Sequence, residues 1–588
     1  MSARHLSPRI LFLFASCLLA AAVGCTSWGD LAIMPGSLDV PDDAEVEDEP
    51  NQPKMVGDMA VPFNTAPVQV EAIGLVVGLD GTGSDPPPSP QRAVLLDEMQ
   101  TRQVENPNRV LQSPSTSLVI VRGFLRPGVQ KGDRFDVELR VPSQSETTSL
   151  RGGRLLETRM TELRVLGGQV HQGHLLALAK GPVMIDPTAE PGQNSVRASR
   201  GRVLGGGRAL KSRPLGLRLR SGYESVFNSS RVANAINRRF HTFDRGIKVG
   251  VAEAQTDKSI RLLIHPRYKD NIMRYIRVIR AIALRESTQE RDARTIRLKE
   301  ELNDPATTAQ AALQLEAIGR NGADILVSAL DSPRVEVRFH AAEALAFLDR
   351  REAADPLARV ARDEPAFRVF ALAALSVMDD LAATDALREL LSVPSAETRY
   401  GAFRALWTIN PNDPLIRGEN LGEEFSYHVL STDGPPLVHV TRSRRPEVVV
   451  FGNDQVVLTP LAINAGNKIM VTGTPGGELS VARFSVGEAD QKRVVPARLD
   501  DMIRAIVELD GTYPDVVQAL QEAQASGALL GRFEVDALPE AGRKFKRRPN
   551  GPDASTVGGG EASEPGENDA RATATGAKGS NDESSGGD

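Results

Sequence analysis

Polar and apolar positions alternate in three textures along the chain, and each predicts its own kind of element. In the first, Val68 and Val70 lead into the glycine-punctuated GLVVGLDGTGS, and Phe135, Val137, Leu139 and Val141 alternate with charged residues, the period of a half-buried strand. Helical spacing interleaves with these strands. Ser229 or Ser230 is placed to cap RVANAINRRF, and DNIMRYIRVIRAIAL sets Ile272, Ile276, Ile279 and Ala283 on one helical face. A charged extension from Arg285 to Asn303 is expected to continue that helix until Pro305 stops it. Residues 62–285 therefore read as the N-terminal part of a mixed α/β body, and 286–305 as a charged helical connector.

The second texture is an internal repeat over residues 306–415. Leu315, Leu345, Leu375 and Leu406 recur at separations of 30, 30 and 31, followed three residues later by Ile318, Leu348, Met378 and Ile409. Val327, Leu357 and Leu387 match in the second half of each unit, as do Leu330, Val360 and Leu390. Each unit is an Ala-rich helix, a short turn and a second helix, which covers its apolar face only by stacking on a neighbour. This resembles a short array of HEAT-type repeats, with a plain helical bundle as the alternative. After a connector at 416–445, the third texture (446–540) is α/β again. EVVVFGNDQVVLTPLAINAGNKIMVTG is rich in β-branched residues, and LDDMIRAIVEL and YPDVVQALQEAQASG follow as helices, Gly527 capping the second.

Composition changes the picture mainly at the ends. A chain of 588 residues holds about three or four domains. It is 41% hydrophobic and 25% charged, as globular protein is, but only 4% aromatic, with 51 Gly and 38 Pro, so part of it is loop, linker or disorder. Both cysteines, Cys17 and Cys25, lie in the first 25 residues. Arg4, His5 and Arg9 precede an apolar run from Ile10 to Val23, as in a secretory signal, and the run is too short for a comfortable membrane span. Ala22-Val23-Gly24-Cys25 resembles the bacterial lipoprotein box, which makes 1–24 a signal peptide and Cys25 the lipid-bearing first residue of the mature chain. A plain signal with a chance cysteine is the alternative. Thr26 after the cysteine favours outer-membrane sorting by that analogy, and acyl chains there hold the protein at a membrane without a spanning helix. Residues 25–61, acidic and proline-bearing, read as a disordered tether, and 541–588, a basic RKFKRR followed by Gly, Ser, Ala, Asp and Glu, as a disordered tail.

Three blocks resemble the flagellar P-ring protein family, periplasmic subunits that ring the rod of the bacterial basal body. The first is IGLVVGLDGTGS, Ile73 to Ser84, with Gly74, Gly78, Asp80, Gly81 and Gly83. The second runs from SLVIVRGFLRPGVQKGDRFDVELRV through SLRGGRLLET, with Arg126, Pro127, Gly128, Gly132, Asp136, Ser149, Leu150, Arg151, Gly152 and Gly153. The third joins VVVFGNDQVVLTPLAINAGNKIMV to the two late helices. With the weaker RVANAINRRF, the resemblance covers 68–285 and 446–536, on both sides of the repeats. It implies a ring-forming α/β body, to which the repeats, the acidic tether and the tail are extra, so the expected class is α+β with an inserted all-α HEAT-like solenoid and disordered ends. Lipidation departs from it, since the family normally carries a plain signal and lipid belongs to the outer-membrane L-ring partner. A disulfide found among family members cannot form in this mature chain.

Little in the chain points to catalysis. GLVVGLDGTG lacks the Gly-Lys-Ser/Thr that grips phosphate and magnesium, so its glycines are read as serving positive φ or close backbone packing. His171 and His174 form an H-x-x-H without a third ligand at helical spacing, and there is no G-x-S-x-G. Asp379-Asp380 and Asp500-Asp501 fall where helix starts or turns are expected. No cofactor, metal or enzymatic activity is expected. The stretch from Arg197 to Arg220 is more informative: Arg197, Arg200, Arg202, Arg208, Lys211, Arg213, Arg218 and Arg220 occur without one acidic residue in a chain of net charge −6. Such a patch attracts an anionic surface, with peptidoglycan carboxylates, an acidic rod or a neighbouring subunit as targets, unless it is only a solvated flexible loop. Nucleic acid is not expected, because the protein reads as exported and the stretch lacks aromatic stacking residues.

The expected function is a structural subunit that oligomerises with itself into a periplasmic P ring around the flagellar rod, next to the L ring, as a passive bushing. It is expected in the basal body, anchored to the outer membrane through Cys25, with the solenoid projecting outward to bind another envelope protein. The alternative is an envelope lipoprotein that uses its repeats as a scaffold, without a flagellum.

Overall fold

The computed structural model describes residues 53–546 apart from 167–168, 186–197, 423, 444 and 486–488. The signal segment, Cys17, Cys25, Arg197, most of the tether and the tail beyond 546 lie outside the described residues. None of the described helices is long and apolar enough to cross a membrane.

The fold begins inside the stretch expected as tether. One helical turn, α1 (Val56–Met59), and β1 (Ala60–Phe63) bury Val56, Met59 and Ala60, a three-residue apolar signature too short to stand out in an acidic context. Six strands then close an antiparallel barrel: β2 (Val68–Val77), β3 (Thr116–Leu125), β4 (Arg134–Arg140), β5 (Arg154–Leu166), β6 (Gln169–Pro182) and β7 (Arg200–Ala209), in the order β2-β3-β4-β7-β6-β5. Val137, Leu139 and Val121 fill the interior, as strand alternation requires, and two helices, α2 (Pro90–Thr101) and α3 (Pro107–Leu111), cover the outer side of β2 and β3 through Leu95, Met99 and Leu111. H-x-x-H falls on β6, a strand rather than a helix.

A second sheet, ordered β1-β8-β12-β11, follows from β8 (Leu215–Leu219), with α4 (Val226–Arg239), the hairpin β9 (His241–Asp244) and β10 (Ile247–Gly250), β11 (Ala252–Ala254), β12 (Ser259–Leu262) and α5 (Ile272–Arg280). The cap of α4 is Ser225, whose hydroxyl accepts the Asn228 amide at 3.1 Å, while Ser229 is buried within the helix. Sequence pattern misplaces this start because Val226 and Phe227 in the first turn face solvent, 69% and 73% exposed. Ile272, Ile276 and Ile279 are buried on one face of α5, as expected. The charged extension does not continue α5. The backbone leaves the helix at Ala281 so that Leu284 donates to Lys54 and Val56 to Ile282, and α6 (Thr288–Leu302) starts afresh on a Ser287/Glu290 capping box.

The repeats form paired helices: α7 (Thr308–Ile318) with α8 (Arg320–Ser328), α9 (Val335–Phe347) with α10 (Ala354–Asp363), α11 (Arg368–Leu375) with α12 (Leu381–Leu390), and a final α13 (Ala396–Ile409). All four leucines of the first register are buried, as are Leu357 and Leu387 of the second. The array is not an outward arm. One apolar core runs from Val56 and α5 through the repeats to Leu430, Val449 and Phe451, and within α9 every residue except Arg338 is buried.

Ion pairs weld both ends of the array. At the first, the Arg274 guanidinium lies 2.5 Å from Glu316 and 2.7 Å from Glu343, and the Tyr268 hydroxyl donates to Glu316 at 2.6 Å. At the other, Glu447 accepts Arg404 at 3.0 Å and the Tyr400 hydroxyl at 2.7 Å. The expected connector at 416–445 is part of the C-terminal fold. Its strands β13 (Glu419–Leu421), β14 (Phe425–Leu430) and β15 (Leu437–Val440) join β16 (Glu447–Phe451) and a final strand in the sheet β13-β14-β16-β15-β21. A second sheet contains β17 (Leu461–Ala465), β18 (Ile469–Gly473), β19 (Glu478–Arg483) and β20 (Gln491–Pro496), backed by α14 (Leu499–Glu508) and α15 (Tyr513–Ala525), after which β21 (Arg532–Val535) completes the first. Gly527, at φ +75, ends α15 as expected.

Buried histidines at the second weld make stability fall with acid. Burial pushes His439, stacked 3.8 Å from the Tyr400 ring, down to about 3, and it also lowers His428, which abuts Glu447. Both bind protons in the unfolded chain near its ordinary value of about 6.5 but not in the folded one, so stability is complete above that pH and declines as pH drops below it. The melting temperature is expected to fall between pH 6.5 and 4.5, with a shallower slope in His439→Phe. Parallel slopes for the two proteins would refute this origin.

Candidate functional site

The two glycine motifs expected from sequence meet at one end of the barrel. Thr82 donates its hydroxyl to the Ser149 carbonyl at 2.7 Å, and the Thr148 amide donates to the Thr82 carbonyl at 2.9 Å, clamping the loop of Gly78, Asp80, Gly81 and Gly83 to the turn of Ser149, Leu150, Arg151, Gly152 and Gly153. Close approach explains one glycine outright: a Cβ at Gly83 would lie 2.1 Å from the Thr116 carbonyl oxygen. The clamped loops then grip the C-terminal domain. Asp80 accepts from Asn467 at 2.9 Å, Arg151 donates to Gln518 of α15 at 2.9 Å, and Arg154 pairs with Glu424 at 2.9 Å.

The remaining motif residues serve the barrel and its other seam. Gly74 lies on β2 inside the barrel, and Asp136 accepts the Gly205 amide at 2.7 Å between β4 and β7. Arg126 pairs with Asp133 at 3.3 Å, Pro127 is buried, and the Gly132 amide donates to Ala209 at 2.8 Å. Gly128 has φ +69, and a Cβ there would come within 2.4 Å of Ile264, so the barrel closes on the second sheet at that point. These residues act as joints: the motifs fix the barrel against the second sheet on one side and the C-terminal domain on the other.

The basic stretch is neither one patch nor a loop. Arg200, Arg202 and Arg208 lie on β7, whereas Arg218 lies on β8 of the other sheet, its guanidinium 5.9 Å from the Phe63 ring. Arg213 is occupied, donating to the Ala66 carbonyl at 2.6 Å, and its burial lowers its pKa. Lys211 and Arg220 are exposed near the strand ends. The barrel instead assembles a different group. Strand register sets Arg140 opposite Arg200 and Arg134 opposite Arg208, with Arg202 near Glu138 at 3.4 Å. Arg134 and Arg140 were invisible as members because their strand is an ordinary alternating one; only its pairing with β7 doubles the charge. Like charges directly opposite on a sheet are destabilising, by a few tenths to about 1 kcal/mol for each pair.

Comparison with known proteins bears on this arrangement. A family model described as flagellar P-ring protein matches residues 56–296. Over residues 56–296 the chain is similar to the flagellar P-ring protein family. A second model, HEAT repeats, matches 297–378. Flagellar P-ring proteins of Nitrosospira multiformis, Chromohalobacter salexigens and Thermotoga petrophila are 30%, 32% and 28% identical over 228, 226 and 238 residues, or 37%, 36% and 38% of this chain. The chain spans 56%, 57% and 64% of those relatives' lengths. The P-ring match takes in α1, the barrel, the second sheet and the start of α6, so both motif clusters, the Gly128 joint and the arginine pairs all lie within the matched residues. The expected block at 446–536 lies outside the matched residues.

Proposed function

We propose that the chain is a structural subunit of a periplasmic P ring around the flagellar rod, where it acts as a bushing without catalysis. The match of residues 56–296 to the P-ring family carries this reading. A ring needs a head-to-tail interface whose rotation closes, and it needs subunits that do not deform as the rod turns inside them. Rigidity follows from the joints: barrel to second sheet at Gly128, second sheet to array at Arg274, array to C-terminal domain at Glu447, and C-terminal domain back to the barrel at Asp80 and Arg151. This circuit of contacts leaves no domain on a single hinge.

In this reading the arginine pairs of β4 and β7 face an anionic surface, peptidoglycan, an acidic rod or a neighbouring subunit, and the L ring lies next to the assembled ring. Cys25 carries lipid and holds the mature chain at the outer membrane. Detergent-extracted hook-basal bodies examined by electron microscopy and mass spectrometry are expected to contain the chain, acyl-labelled in the wild type and unlabelled in Cys25→Ser. Its absence from intact hook-basal bodies would refute the ring reading, and labelling that persists in Cys25→Ser would refute the anchor.

A further inference from the structure

One groove of the helical array is filled by the start of the tail rather than by a helix. After β21 the chain is pinned at Asp536, whose carboxylate accepts the Arg442 amide at 2.8 Å and the Ser443 hydroxyl at 3.0 Å. Beyond Pro539 the described residues of the segment make no backbone hydrogen bond. Two side chains seat it. Arg543 pairs with both carboxylate oxygens of Glu397, at 2.8 and 2.5 Å, and the Phe545 ring lies 4.9 Å from Phe367. Lys544 and Lys546 are exposed.

The receiving side is held ready by the array itself. Glu397, in the first turn of α13, also accepts from Arg368 at 2.9 Å, and the buried Arg368 is fixed in turn by the Ala361 carbonyl at 3.0 Å. Phe367 stacks on Phe339 at 4.4 Å. The anion and the aromatic platform thus come from three helical units of the array, whereas the segment contributes only a cation and a ring two residues apart. Strands and helices of this fold are held by backbone ladders. This segment is held as a bound peptide is, by bidentate charge pairing and ring contact.

We propose that the groove lined by Phe339, Phe367, Arg368 and Glu397 is a peptide-binding site for a cation-x-aromatic segment, and that Arg543-Lys544-Phe545 of this chain is its exchangeable resident. Release of the resident adds Arg543 to the exposed Lys544 and Lys546 as a basic run open to another contact. Self-occupation sets the affinity that any competing segment must exceed, because a tethered ligand is present at high effective concentration.

A fluorescent peptide with the sequence of residues 538–550 serves as the probe, and fluorescence anisotropy as the readout. The full chain carrying Arg543→Ala and Phe545→Ala is expected to bind it at least about tenfold more tightly than the unaltered chain, and Glu397→Lys added to that variant is expected to abolish binding. Failure of the opened variant to bind, or binding that survives Glu397→Lys, would overturn the proposal. A second measurement does not depend on the opened variant. Trypsin is expected to cut after Arg543 and Lys544 about tenfold faster in Glu397→Gln than in the unaltered chain at equal melting temperature, and equal rates would overturn the exchangeable seating.

Discussion

Replacing Arg274 by alanine is expected to remove about 3–5 kcal/mol of stability, the cost of stripping one partner from a buried ion pair. Arg274 is only 8% exposed, and its two carboxylates, Glu316 and Glu343, are 0% and 7% exposed. Truncation leaves both acids inside a core formed by α5, α7 and α9, with the Tyr268 hydroxyl as the remaining donor to Glu316 at 2.6 Å. Either the acids take up protons or the interface between α5 and the array opens to water. Two controls separate this from a general loss of packing. Arg102→Ala breaks a half-exposed pair with Glu98 and is expected to cost under about 1 kcal/mol. Adding Glu316→Gln and Glu343→Gln to Arg274→Ala removes the orphaned charges and is expected to restore part of the loss. Urea denaturation followed by circular dichroism measures all three. A loss for Arg274→Ala no larger than that for Arg102→Ala would show that the weld does not hold the two parts together.

The repeats were the most legible part of the sequence, because a period of about 30 residues fixes both the helices and the buried register, and Leu315, Leu345, Leu375 and Leu406 are all in the core. What packs on the repeats was not legible. Nothing in the spacing of α9 separates a helix covered on one side from one covered all round, since Glu336, His340 and Glu343 read as polar face and are buried. The same limit hid β15, whose LVHV is buried at every position and lacks the alternation that marks a half-buried strand, whereas β16, EVVVF, was legible from its β-branched run but not in its burial on both faces. His428 and His439, which no sequence pattern singled out, are interior residues of this sheet. Period-two patterns gave the inward face of β4 but not its neighbour. That is why the arginine pairs across β4 and β7 needed the closed barrel to appear, and why a basic stretch continuous in sequence divided between two sheets. The motif glycines were legible as backbone devices, and the contacts they enable were not, because those run to Asn467, Gln518 and Ile264, far away in sequence.

Deleting Ala306 to Asn410 is expected to destroy the fold rather than release a ring-forming body trimmed of an accessory arm. The deletion removes Glu316 and Glu343 from Arg274 and, at the opposite end, Arg404 and Tyr400 from Glu447. It also uncovers Tyr268, which stacks 4.8 Å from Phe347, and Leu430, Leu437, Val449 and Phe451, which share the array's core. Each broken weld costs several kcal/mol. Two of them, together with the exposed apolar surface, match the roughly 5–15 kcal/mol by which a domain is stable at all. The barrel has its own core and its own closed ladder, so it is the part with independent means to survive. The deleted chain is therefore expected to lose the cooperative transition of the second sheet and C-terminal domain, to bind a hydrophobic dye and to aggregate, with strand signal from the barrel remaining in the far-ultraviolet spectrum. A soluble deletant with the near-ultraviolet spectrum and melting temperature of the full chain would contradict this, and would return the array to the status of a peripheral arm.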